Sequence, residues 1–160
     1  MACLLDVEPE LLSWRTAVAP ITLGGISIAA DLDVLYPSRR ELLVVGDGAG
    51  SLSRDQVRLA TSAGYVVKTI ELGDIKGVRL ENAKALLRYA RWTVSLSDRV
   101  RLLATLEEEG SLPLAACMSA IRSGRDSIAV IAALCLHRFV ELDLDSGRIG
   151  PQTRVTPFRG

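Results

Sequence analysis

Residues 41–70 constrain the fold more than any other stretch of the chain. Glu41-Leu-Leu-Val-Val45 is a β-prone run that stops at the glycine-rich turn Gly46-Asp-Gly-Ala-Gly50. Ser51 and Ser53 are both suited to cap a helix running through Ala63, with Val57 and Ala60 on one face. Gly64 ends that helix, and Tyr65-Val-Val-Lys-Thr-Ile70 is β-prone again. Strand, helix and strand at this length form a crossover unit, which returns the second strand parallel to the first. A mixed sheet in an α/β fold is the expectation. The glycine-rich turn fits neither G-x-G-x-x-G nor G-x-x-x-x-G-K, so it reads as a strand-to-helix connection rather than a phosphate loop.

The flanking sequence extends this frame. Upstream, Ile21-Thr-Leu23, Gly24-Gly25 and Ile26-Ser-Ile28 form a hairpin signal, because paired glycines supply the positive φ angles of a tight turn. Leu32 to Tyr36 continues extended and Pro37-Ser-Arg-Arg40 turns. Downstream the pattern becomes helical. Glu81 to Trp92 carries an apolar stripe of Ala83, Leu86, Leu87 and Ala90. Ser95 or Ser97 caps the next helix, which Gly110 stops, and Ser111 caps a short one with Pro113 in its first turn. After a turn at Ser123-Gly124, a helix is expected from Asp126 to Arg138, then a strand from Phe139 to Leu144 and a turn at Asp145 to Arg148. Three helices followed by a strand and a turn is the order of a winged helix. The boundary falls near residues 93–97, giving domains 1–94 and 95–160.

Composition narrows the functional classes. The 160 residues include nineteen basic and nineteen acidic side chains, so no general affinity for nucleic acid is written in the net charge. Any basic surface must be local. Three cysteines without paired spacing (Cys3, Cys117, Cys135) suit a reducing compartment and apolar packing. The N-terminus lacks the basic region of a signal peptide, and the longest apolar run, Ile128 to Leu136, is too short to span a bilayer. A soluble cytoplasmic protein is expected.

Leu4-Leu-Asp-Val-Glu-Pro-Glu10, Pro20-Ile-Thr-Leu23, Arg40-Glu-Leu-Leu-Val-Val45, Gly64 to Ile70, Asp74-Ile75, Asn82 to Tyr89 and the tail ending Thr153-Arg-Val155 fall in an order that resembles TnsA-type transposon endonucleases. The resemblance spans nearly the whole chain and implies a restriction-endonuclease-like mixed sheet with flanking helices, followed by a small winged-helix-like domain. It also implies chemistry that needs a Glu on an N-terminal helix, an Asp at a strand start and Glu-x-Lys on the next strand, holding magnesium and positioning water. In this alignment the chain starts after the helix that would carry the Glu. The Asp falls at Asp31, with Asp33 two residues on, and the Glu-x-Lys positions fall at Val44 and Gly46. Neither replacement can ligate a metal or hold a proton. The resemblance therefore implies a truncated, catalytically degenerate member needing no cofactor. Asp31, Asp33, Glu41 and Asp47 are the vestigial acids, and Asp31 and Asp33 are the ligands if magnesium is bound at all.

Other residues bear on partners. Lys84, Arg88 and Arg91 share one face of the expected Glu81–Trp92 helix, with Arg79 just upstream, and could track a phosphate backbone. Against that, exposed cations are ordinary on a solvated helix. Arg122, Arg125 and Arg148 could touch phosphates from the start of the third helix and from the wing, although Glu141, Asp143 and Asp145 oppose them. The third helix is too apolar to read bases. Ile128, Ile131 and Leu134 are expected at an oligomer interface, the alternative being a buried helix. His137, the single histidine, suits the C-terminal end of that helix. These features favour a non-catalytic interaction module that binds a transposase, a regulator or its own copy, with weak DNA contact. A magnesium-dependent endonuclease with a rearranged site and a winged-helix DNA-binding regulator are the alternatives.

Overall fold

The structure, a computed structural model, describes residues 1–17, 20–46, 52–122 and 126–159. It is mixed α/β, and its contacts define two compact units, residues 10–76 and residues 1–9 with 77–160. A short helix, α1 (Ala2–Asp6), opens the chain and belongs to the second unit.

The 10–76 unit is built on a four-stranded sheet. Its strands are β1 (Ser13–Thr16), β4 (Leu32–Leu35), β5 (Arg40–Val45) and β6 (Tyr65–Ile70), in that spatial order, with β2 (Ile21–Leu23) and β3 (Ile26–Ile28) forming a separate hairpin. The hairpin turns at Gly24 and Gly25, whose φ angles of 53° and 80° are the left-handed values that the paired glycines were expected to supply. Helix α2 (Arg54–Ser62) crosses between β5 and β6, which pair in parallel. Of the two serines suited to cap it, Ser53 does so. Its hydroxyl accepts from the Gln56 amide while the Gln56 side chain accepts from the Ser53 N–H, a reciprocal capping box. Ser51 and residues 47–50 of the glycine-rich turn lie outside the described residues. Ile28, Leu42 and Ala60 are buried together where hairpin, sheet and α2 meet.

The second unit contains α3 (Val78–Leu87), α4 (Leu96–Glu109), β7 (Leu112–Pro113), α5 (Leu114–Ala120), α6 (Ser127–Leu136), β8 (Val140–Leu142) and β9 (Arg154–Pro157). The three short strands form a sheet in the order β7-β9-β8. Leu102, Leu106, Cys117, Ile131, Leu134 and Val155 are at its core, each 1% exposed or less. Ser95 caps α4, and Gly110 ends it at a φ of 73°.

Three local expectations differ from the structure. The helix anticipated from Glu81 to Trp92 starts earlier and ends at Leu87, because residues 88–92 continue as tight turns with Tyr89 and Trp92 bonding three residues back. Ser111 does not cap α5: its hydroxyl accepts from Arg154 Nε, and Pro113 holds the cap position without a side-chain bond. The compact units also divide at residues 76/77 rather than near 94. The cause is α3, which carries Leu86 into the same core as Leu102 and Ile131. Among the described residues, no helix is long and apolar enough to cross a membrane.

Candidate functional site

The register of β4 and β5 decides what the acidic residues can do. The two strands pair antiparallel with Leu32 opposite Leu43, Asp33 opposite Leu42 and Val34 opposite Glu41. Opposed residues share a face and successive residues alternate, so Asp33 and Glu41 project from opposite faces of the sheet. They do not converge on one site.

Each carboxylate is instead taken up by cations on its own face. Arg15 opposes Asp33 from β1, and Arg40 lies two residues from Leu42, so both reach it. Arg15 Nε donates to Asp33 Oδ2 at 2.9 Å and Arg40 Nε to Oδ1 at 2.7 Å. Arg40, bonded to both oxygens, is the main reason the Asp33 carboxyl is held below its usual range, even though burial pushes it up. Across the sheet, Lys68 is paired with Leu43 and so lies on the Glu41 face. Its Nζ sits 2.8 Å from Glu41 Oε1, and Arg39 Nε donates to the same oxygen at 2.6 Å. Burial pushes the Glu41 carboxyl up, but the Lys68 ammonium and Arg39 guanidinium outweigh it and leave it below the ordinary value. Arg39 also stacks on Tyr36, its guanidinium carbon 4.0 Å from the ring centre.

Asp31 is exposed and placed differently. Its N–H donates to Leu43 O at 2.9 Å and its carboxylate accepts from Val45 N at 2.7 Å, so it straddles Val44. Asp47 lies outside the described residues. The donors described do not fit a magnesium ion, which needs several oxygen ligands in octahedral array. Asp33 is bonded to two guanidiniums, Glu41 is on the other face, and Asp31 is bonded to the backbone. Among the described residues, no three His, Cys, Asp or Glu side chains are grouped as a metal would require.

These pairs set a pH dependence. A carboxyl whose folded pKa is depressed adds stability above its unfolded pKa, about 4, and loses it as pH falls through the folded value. The urea midpoint should therefore fall as pH drops below the unfolded value, and fall less in an Asp33→Asn, Glu41→Gln double variant. An identical acid profile in that variant would show that these pairs contribute nothing. The effect should also weaken in salt, since Arg15, Arg40 and Lys68 are partly exposed.

In the 1–9 and 77–160 unit, the anticipated basic residues are scattered in role. Arg79 is committed to Asp145 at 2.6 Å and Glu8 at 3.2 Å. Lys84 is exposed on α3, Arg88 is the C-cap of that helix, and Arg91 lies beyond it, so one helix face does not carry all three. Arg122 is exposed, its N–H donating to Asp98 Oδ1 at 3.3 Å, and Arg148 pairs with Glu81 at 2.9 Å. Arg125 lies outside the described residues, as do Ser123 and Gly124. The interface expectation needs correction: Ile131 and Leu134 are 0% and 1% exposed within their own unit, and Ile128 alone of the three is open, at 42%. With Ala129 to Leu134 all buried, α6 fills the core instead of offering a face.

Two buried polar residues escaped the sequence reading. Asn82 Nδ2 donates to Leu144 O and Gly147 O at 2.9 and 2.8 Å, and its Oδ1 accepts from Ile149 N at 3.0 Å. Asp98 is fully buried and accepts from Ser95 Oγ and Arg122 N. The Ser95-x-x-Asp98 spacing was a legible capping signal for the second. For Asn82 the signal was a lone amide beside the apolar Ala83 and Leu86. No family model matches the chain, and no curated protein matches it at a significant level.

Proposed function

We propose that this chain is a catalytically degenerate relative of the TnsA-type transposon endonucleases, acting as an interaction module for a transposase, a regulator or a second copy of itself. Two arrangements support a fold of that kind. The mixed sheet β1-β4-β5-β6, with α2 crossing between its parallel strands, fits a restriction-endonuclease-like core. The succession α4, β7, α5, α6, β8, β9 with β9 central in its sheet fits a winged-helix-like domain.

The observation that carries the loss of chemistry is Asp31 beside Val44. The residue aligned with the family's strand Asp is present, and its neighbour on β5, where a ligating Glu is needed, is a buried valine. Asp33 and Glu41 cannot substitute, because arginine and lysine occupy them on opposite faces. A site rearranged around these acids is thereby disfavoured. A regulator that reads bases with its third helix is disfavoured as well, since Ala129 to Leu134 of α6 are all buried. Weak DNA contact remains for the exposed Lys84, Arg88, Arg91 and Arg122.

Purified protein incubated with supercoiled plasmid and magnesium or manganese should leave it uncut. Metal-dependent nicking that disappears in Asp31→Ala would overturn the proposal.

A further inference from the structure

We propose that the 1–9 and 77–160 unit holds a binding pocket for a small amphiphile, an apolar chain ending in one anionic group. A cavity of about 450 Å³ opens between α3, α5 and α6, with Leu142 of β8 and residues 149–151 completing its wall. That volume lies in the range of small-molecule sites, which combine apolar walls with a few polar groups that fix orientation. Here the walls include Leu86, Leu114, Met118, Ile128 and Ile131, and among the described residues Arg88 is the one charged residue lining the cavity.

The state of Arg88 makes the chemistry specific. Three other arginines of this unit are spent: Arg79 on Glu8 and Asp145, Arg101 on Asp98, Arg148 on Glu81. Among the described residues, no carboxylate pairs with Arg88, which is exposed at the C-cap of α3. A cation is favoured there by the helix dipole, and that interaction uses none of its directed N–H donors. A planar guanidinium with unspent donors beside an apolar cavity matches a carboxylate bidentately, and the apolar chain behind the carboxylate would take water's place against the leucine and isoleucine walls. Ile128, 42% exposed, puts an apolar side chain where the chain would enter.

The two methionines of the sequence, Met1 and Met118, make the test direct. Full-length protein carrying ¹³C-methyl methionine is titrated with decanoate and, separately, with decanol, both below micellar concentration. The Met118 methyl resonance should shift saturably with decanoate, with decanol binding about tenfold more weakly for want of the charged hydrogen bonds. Arg88→Ala should weaken decanoate about tenfold and leave decanol unchanged, and Ile128→Trp, which fills the entrance, should block both. Both substitutions fall at exposed positions that the fold tolerates. A Met118 resonance that does not saturate, or decanol binding as tightly as decanoate to the unaltered protein, would overturn the pocket or its anion preference respectively. Decanoate binding unchanged in Arg88→Ala would remove Arg88 from it.

Discussion

Asn82→Ala should destabilise the 1–9 and 77–160 unit by about 3 kcal/mol, far more than the loss of one exposed amide would. The side chain is 3% exposed and ties α3 to the turn between β8 and β9 through three hydrogen bonds. Removing it leaves two carbonyls and one N–H without partners, each costing about 1–3 kcal/mol where water cannot replace the bond. Water reaching the partly buried Gly147 and Ile149 groups keeps the sum toward the lower end. Asn82→Asp should be no milder at neutral pH, because a carboxylate would face the Leu144 and Gly147 carbonyls with no donor. Lys84→Ala, at an exposed position of the same helix, should change stability by less than about 0.5 kcal/mol. Urea unfolding with an unchanged denaturant slope would measure all three. An Asn82→Ala midpoint equal to that of Lys84→Ala would refute the bridging role.

The second large effect separates core from interface. Ile131→Ala should cost about 2–5 kcal/mol, the range for emptying a packed aliphatic site, without changing the molecular mass in solution. Ile131 is fully buried among Leu102, Leu106, Val130 and Leu134, so truncation leaves a cavity inside one unit. Were the helix an association surface, the same change would shift light-scattering mass with protein concentration and affect unfolding less. Paired unfolding and light-scattering measurements on this variant decide the matter. A mass change without a stability loss would reinstate the interface.

What was legible from sequence were features whose cause is local. The Gly24-Gly25 hairpin, the Ser53 and Ser95 caps, the Gly64 and Gly110 stops and the β5-α2-β6 crossover depend on residues near each other in the chain. Features set by distant partners were not legible. β1 reads Ser-Trp-Arg-Thr, a mostly exposed run without apolar alternation, and is a strand because β4 pairs with it. β7 is two residues long and owes its existence to β9. The acids of the candidate site were found at once, but their partners were not. Whether Arg40 meets Asp33 or Glu41 depends on register, and a slip of one residue would exchange the faces. The apolar run at 128–136 was seen, yet periodicity cannot tell a helix wrapped by its own unit from one that waits for another chain.

The strand order β7-β9-β8 has a consequence for how the protein folds. The central strand of that sheet, β9, comes after both of its neighbours in the sequence. Until β9 takes its place, β7 and β8 have no strand to pair with, and Val155, fully buried in the finished core, is not yet in position. Until β9 docks between its neighbours during folding, the most apolar helix of the protein lacks part of its cover. A holding chaperone that recognises short apolar segments would find its target there, and the hold would end when β9 inserts between its neighbours.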